Sequence, residues 1–552
     1  MKHKLLLIFL LSTVVSLVQG QSKNQNEEVT ITSNKDKTAI TLTENGGLFL
    51  NVSLKDIEKF KMNGFVNYED FGAIGDGKTD DIYAIAATHA FANQNGLSVK
   101  VKENAKYYIG GKNRTAIIQT NTNFGNANFI IDDTEVQNRT TPVFKVASSL
   151  KSYKLKGITS LKKDQEKIPV TLPSKCLITA TDINVKRYIR AGGNQNEGSA
   201  QTDIFLADEN GNVDKNAPII WDFNFISDIT ALPIDETTLT ITGGNFTTIA
   251  NREESKYNYY TRGISIKRSN VVLGDLHHNI TGEGESGAPY SGFINVSDCA
   301  FVTIKNSVLT GRKVYQTIGK GGTTVSMGSY GILVNKALNV SLINCKQTND
   351  INDKRYWGLF ASNFSKNLLY DGCEFSRFDA HMGVSNATIR NSILGHQGIN
   401  AIGSGTFLVE NTIVYSSNLI NLRSDYGSTW EGEFIIRNCT FIPLNGNVDA
   451  DKSSLIGGSN SGQHDFGYTC YMPKKISIEN LKIDDSNHSK DYKGLAIFAN
   501  FNPKMVDNSY QEKFPYNKTK EVFLKNVTTT SGKKLIVSNN AFLFKDVKVI
   551  TE

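Results

Sequence analysis

Two residues apart in "FDAH" stand Asp379 and His381; one phrase later comes Asn400 in "GINAI", and one after that Asn421 and Arg423 in "LINLRSD". These are side chains that do chemistry. A histidine titrates near neutrality and can take a proton. Two amides and a guanidinium can hold an anion, and a carboxylate can orient the imidazole or either amide. Two polar loops flank them, "TNDINDKRYWG" (Thr348 to Gly358) and "RSDYGSTWEG" (Arg423 to Gly432). They supply Lys354, Arg355, Tyr356, Trp357, Tyr426 and Trp430, basic groups beside aromatic rings, which suit an acidic sugar chain.

The elements that must position these residues are repetitive. From about residue 237 to 550 the chain says "LTITGGNF", "FVTIKNSVL", "VSLINCKQ", "LLYDGCEF", "ATIRNSIL", "FLVENTIV", "FIIRNCTF", "ISIENLKI" and "VFLKNVTT". Each phrase is a short alternating strand, then Asn or Gly, usually a small residue, then another strand. Aligned on the small residue, Cys345, Cys373, Ser392, Thr412 and Cys439 follow one another at steps of 28, 19, 20 and 27 residues. Repeats of this length with variable loops mark a solenoid. β-branched strands without intervening helices make it a parallel β-helix. The Asn before the small residue suits a turn in the left-handed region, and the three cysteines should stack inside as thiols. A Cys345–Cys439 disulfide is excluded, because about four rungs of about 4.8 Å exceed its reach.

The register sorts inside from outside. Leu359, Phe378, Ile399 and Ile420, with Ala361, Ala380, Ala401 and Leu422, are expected to point inward. Asp379, His381, Asn400, Asn421 and Arg423 then share one outer face, with Asn335 and Ser362 on earlier rungs and Ile402 between His381 and Arg423. Those two should lie roughly 10 Å apart, a window for one sugar ring. Arg377 and His396 are expected on the next sheet, stacked on each other and available to substrate. His277 and His278 are weaker candidates, one of them buried.

Upstream, "FVNYEDFGAIGDGKTDDIYAIAATHAFANQNGLSVKVKENAKYYIGG" (Phe65 to Gly111) reads as strand, Gly-rich turn, helix and strand. Asp80 and Asp81 sit at the helix start, and Ala84, Ala87 and Phe91 make one helical face. Residues 114–236 alternate polar and apolar and carry a turn at Asn210-Gly211, which indicates an inserted β-rich subdomain. Asp208, Asn210, Asn212 and Asp214 imitate a calcium loop, but Val213 replaces its Gly, so a hairpin is expected. The organisation is then 1–20 signal peptide, 21–63 polar leader and first strands, 64–113 cap, 114–236 insertion and 237–552 β-helix. The signal peptide rests on Lys2 and Lys4, the apolar run Leu5 to Val18 and the small-residue end Val18-Gln19-Gly20. No Cys follows that run to carry a lipid, so a secreted or periplasmic protein is expected. No later apolar stretch is long enough for a membrane span.

The net charge of +6 over 552 residues is compatible with an acidic polymer, whereas no basic helix or zinc-finger spacing points to nucleic acid. The six cysteines show no CxxC spacing.

The DFGAxGDGxTDD string resembles the N-terminal cap of the pectate-lyase-like right-handed β-helix superfamily, which includes phage tailspikes. With "DAHMGVSNATIRNSILGHQGINAIGSG" and "INLRSDYGSTWEGEFIIRNC", the chain looks more narrowly like secreted bacterial lyases that degrade chondroitin and hyaluronan. That resemblance implies a polysaccharide lyase acting on a uronate-containing polymer by β-elimination; a monomer is expected. The reaction needs the carboxylate neutralised, a base for the adjacent C–H and an acid for the leaving oxygen. His381 would be the base, Asn400, Asn421 and Arg423 the carboxylate holders, Tyr426 or Tyr356 the acid, and Asp379 the orienting group. Arg355, Tyr356, Arg377, His396 and Trp430 would bind the polymer. Similar lyases use Ca²⁺, for which one outward carboxylate beside two amides is a thin ligand set, so no cofactor is expected. The alternatives are a glycoside hydrolase using Asp379 with Asp425 and a non-catalytic glycan-binding β-helix.

Overall fold

A computed structural model describes residues 28–35, 37–43, 46–192, 197–319, 322–358 and 360–552. The expected signal peptide and the inward placing of Leu359 lie outside these residues. Strand after strand pairs in parallel with the strand one coil further on, which makes the chain a parallel β-helix. Three runs of rungs recur. The first joins Phe378 to Ile399 and Asn400 to Asn421. The second joins Phe407 to Phe434, Ile476 and Val522. The third joins Glu374 to Ile393, Ile413 and Thr440.

The turn into the third run is the one the repeats mark. Asn306, Asn344, Asn391, Asn411, Asn438, Asn480 and Asn526 all have positive φ, between 48° and 54°. A short polar side chain tolerates that region, and it can bond locally. Here the amides bond along the stack, Asn526 to Asn480 and Asn480 to Asn438 at 2.8 Å each. The next residue turns inward: Cys373 N donates to Ser392 Oγ at 3.0 Å, and Cys345, Cys373 and Cys439 are buried free thiols. Aromatic rings fill the interior beside them. Phe360 stacks on Phe378 at 5.5 Å, and Phe407 packs on Trp430 at 5.1 Å.

The helix Ile82–Asn95 closes the N-terminal end, with Ala84, Ala87 and Phe91 buried as expected. Asp80 accepts from Ile82 N at 3.1 Å, while Asp81 turns back to the Gly-rich loop and accepts from Ile74 N and Gly75 N. The insertion is shorter than expected. Strands Ala116–Ile118, Thr122–Asp132 and Phe144–Ala147 already pair into the β-helix. The separate four-stranded antiparallel sheet comprises Tyr153–Lys154, Cys176–Arg187, Ser199–Ala207 and Asp228–Pro233. Alternation alone cannot tell a coil strand from an insert strand, since both bury one face. Leu177, Ile204 and Leu206 of this sheet pack on Ala300 and Leu338, outward residues of the coil. The turn after Ala207 is a plain one, in which Asp208 accepts from Asn210 N and Asn212 N at 2.9 Å.

Candidate functional site

Asp379, Asn400 and Asn421 form one outward column, because Phe378 and Ile399 beside them enter the core. One rung earlier the register slips. Ser362 pairs with Ala380 and Asn363 with Met382, so His381 is an extra residue opposite no partner. This β-bulge re-aims the imidazole out of the ladder. It also corrects the expected register: Phe360 is the inward residue of its rung, and Ser362 is buried, donating to Asp379 O at 2.9 Å.

Around the column runs a chain of alternating charges. Arg377, two residues before Asp379 and therefore on the same face, meets Asp379 with Nη2. Arg423 reaches back two rungs and places Nη1 3.0 Å from both Asp379 oxygens. The same guanidinium grips Asp425 through Nε at 3.1 Å and Nη2 at 2.6 Å. Arg190, from the insertion, adds Nη2 at 3.1 Å to Asp425. The segment that carries it, just past the strand Cys176–Arg187, is docked there by Ala191 N donating to Asp425 O at 3.0 Å. Burial would raise the Asp379 pKa, but Arg377 and Arg423 outweigh it and hold the carboxyl at about 2. Asp425 is likewise lowered by Arg423 and Arg190 against its burial. Three guanidiniums face two carboxylates, so the face keeps a positive excess.

His381 Nδ1 lies 3.0 Å from Asn363 Oδ1. An amide oxygen only accepts, so the proton sits on Nδ1 and Nε2 carries the lone pair. Burial, helped by Arg423 and Arg190 and opposed by Asp379 and Asp425, lowers the imidazole to about 4. It is therefore neutral at pH 7. Its ring meets Tyr426 edge-on at 5.3 Å. Burial pushes the Tyr426 hydroxyl up to about 12, so that group keeps its proton.

The other expectations divide. Asn421 donates to Asn400 Oδ1 at 2.8 Å, and Asn400 donates to Gln397 O at 2.9 Å, so the amides are tied into a ladder. Arg423 closes the window expected between itself and His381, because Asp379 attracts it across the intervening rung. Arg377 belongs to this face and not to the next sheet; its guanidinium lies 5.0 Å from the Trp357 ring centroid. His396 stays with the 348–358 loop, its N–H on Ile351 O at 3.1 Å. Arg355 is exposed and forks onto Asp353 in its own loop. Tyr356 is half-buried and bridges Lys313. Trp430 is not a surface ring. It is fully buried against Phe407 and Phe434, with Nε1 donating to Gly405 O at 2.9 Å. It opens a coil strand, where the alternation points it inward. His278 is buried on Thr248 and Phe293, as one of that pair was expected to be.

Arg190 and Asn363 were missed. Arg190 lies more than 180 residues before His381 in sequence, on the insertion, and no local pattern links it to the coil. Asn363 sits where the bulge breaks the two-residue period. Calcium does not fit this donor set, since guanidiniums already occupy the oxygens of Asp379 and Asp425. Among the described residues, no three His, Cys, Asp or Glu side chains cluster as a metal site.

No family model matches the chain, and no curated protein matches it. Solved structures do. The tailspike gp61 of Pseudomonas phage phi297 is 13% identical, with a TM-score of 0.53 over 88% of this chain and 84% of that one. The likeness is one of fold. The tailspike gp49 of Pseudomonas phage LKA1 follows at 13% and 0.48, over 88% and 84%. PfbA, a surface adhesin of Streptococcus pneumoniae, stands at 12% and 0.43, over 84% of each chain. Among the described residues no helix is long and apolar enough to cross a membrane.

Proposed function

We propose that this β-helix is an exported polysaccharide lyase that cleaves a uronate-containing polymer by β-elimination, with a glycosaminoglycan such as chondroitin sulfate or hyaluronan as the expected substrate. The observation that carries the reading is the neutral His381, lifted out of the ladder by a bulge and set beside a guanidinium-rich face and a protonated Tyr426. In the reaction, a guanidinium meets the uronate carboxylate, which makes the adjacent C–H acidic. Arg190 serves best, because its side chain is 37% exposed against 15% for Arg423 and 5% for Arg377. His381 Nε2 takes the proton. The C–H electron pair becomes a C=C bond, the C–O electrons leave with the oxygen, and Tyr426 protonates that oxygen. Asn363 holds the imidazole, and Asp379 and Arg423 set the field around it.

The hydrolase alternative asks for one carboxyl that stays protonated. Asp379 and Asp425 share Arg423 and are both held ionised, which counts against it. The test is incubation with hyaluronan, chondroitin sulfates, alginate and polygalacturonate, read by ultraviolet absorbance and product mass. An unsaturated uronate, lighter by one water than the hydrolysis product, is expected. Saturated products favour hydrolysis, and binding without cleavage favours the non-catalytic reading.

A further inference from the structure

On the other side of the wall made by Tyr188, Ile402 and Tyr426, the insertion and the coil enclose a cavity of about 300 Å³. Its floor is coil backbone at Gly383, Val384, Gly403 and Ser404; its roof is Arg187, Asp203 and Trp221 of the insertion. Two ion pairs bridge roof and floor. Lys366 meets Asp203 at 2.7 Å with both side chains buried, and Lys163 meets Glu431 at 2.7 Å near the mouth. These four charges cancel in pairs, and the exposed Asp222 adds a third carboxylate to the lining.

Arg187 has no ion pair of its own, although Asp465 and Asp182 act on it from further away. Its Nε and Nη2 donate to Gln201 Oε1 at 2.8 and 2.6 Å, and Nη1 donates to Gly467 O. Both acceptors are neutral. Among the described residues no carboxylate lies within ion-pair distance of this guanidinium. Gln201 is itself held, donating to Asp222 O at 2.9 Å. The guanidinium also lies over the Trp221 ring at 4.7 Å. It is thus half-buried and fixed on two edges and one face. A guanidinium has five donors, so two remain. Its remaining donors match the fork of a carboxylate or sulfate. Tyr468 and Tyr471 line the same space, and aromatic faces beside polar groups suit a sugar ring. The volume is at the small end for ligand pockets, which fits one or two sugar units and not a continuous chain.

We infer that this cavity is a second binding site, separate from the His381 face, for a short saccharide bearing a carboxylate or sulfate, with Arg187 as its anion anchor. The site stands whether or not His381 performs elimination, because its chemistry comes from its own walls. The ligand is either a free acidic saccharide or the end of an acidic polymer, and the test separates the two.

The test is calorimetric titration of the full chain with glucuronate, N-acetylglucosamine 6-sulfate, glucose and a hyaluronan tetrasaccharide. The expected result is binding of at least one anionic sugar and none of glucose. Binding of the tetrasaccharide alone that is lost with Ser404→Trp assigns the cavity to a chain end, and binding of the monosaccharides as well assigns it to a free saccharide. Arg187→Gln should weaken that binding by at least about tenfold, the worth of a charge-assisted hydrogen bond. Ser404→Trp, which fills the cavity and leaves the Arg187 partners in place, should do the same and carries the test if Arg187→Gln fails to fold. His381→Ala should leave this binding unchanged. The proposal is overturned if no anionic sugar binds, if glucose binds equally well, or if the binding survives Ser404→Trp unchanged.

Discussion

Asp379→Asn keeps the shape of the side chain and removes the charge that two arginines share. In the native protein Asp379 has no exposure, and its oxygens meet Arg377 and Arg423. After the change Arg423 retains its fork on Asp425, but Arg377 is left with Gln397 at 3.3 Å and the face of Trp357. Removing one partner of a buried pair costs about 3–5 kcal/mol because the other charge stays buried; one rescued arginine out of two puts the expectation at about 3 kcal/mol. The pH dependence is sharper still. The Asp379 pKa is lowered from 3.8 to about 2 in the folded chain. A depressed carboxylate stabilises above its unfolded pKa and loses that contribution as pH falls through the folded one. The shift corresponds to about 2 kcal/mol at 1.36 kcal/mol per unit. Urea unfolding of both proteins from pH 7 to pH 2, followed by tryptophan fluorescence, should therefore show a constant gap above about pH 4. The gap should shrink by about 2 kcal/mol toward pH 2. A gap below about 1 kcal/mol at pH 7, the size of an exposed pair, or one that does not change with pH, would refute the buried relay.

Three further outcomes follow from the site. His381 must be neutral to accept a proton, so the acid limb of kcat/KM should lie near pH 4, and His381→Ala should cost on the order of 10² to 10⁴ in turnover with unchanged melting; a limb near 6.5 contradicts this environment. Arg190→Gln should lower kcat/KM on uronate polymers by on the order of ten- to a hundredfold, and unchanged kinetics would remove it from the site. Trp430→Ala should cost about 3–5 kcal/mol of stability without raising KM where the protein is folded, while a raised KM at full stability would return the ring to the surface.

The stacked small residues, the left-handed Asn turns and the inward Phe378, Ile399 and Ile420 were legible in the letters, because a rung of a parallel β-helix repeats its own steric demands at every coil. The face carrying Asp379, Asn400 and Asn421 followed from the same two-residue alternation. Trp430 was misread because a loop's composition does not say where the next strand begins, and one residue decides between inside and outside. Arg377 was placed a sheet too far, although its i, i+2 spacing from Asp379 held the answer. Three decisions belonged to the tertiary structure alone. The bulge at His381 depends on how two strands of unequal length are paired. Arg190 reaches the site only because an insertion folds back onto the coil. And the pairing of Arg423 with Asp379 is set by burial: two opposite charges taken out of water together find each other across a rung, and nothing in their separate positions along the chain records that they will.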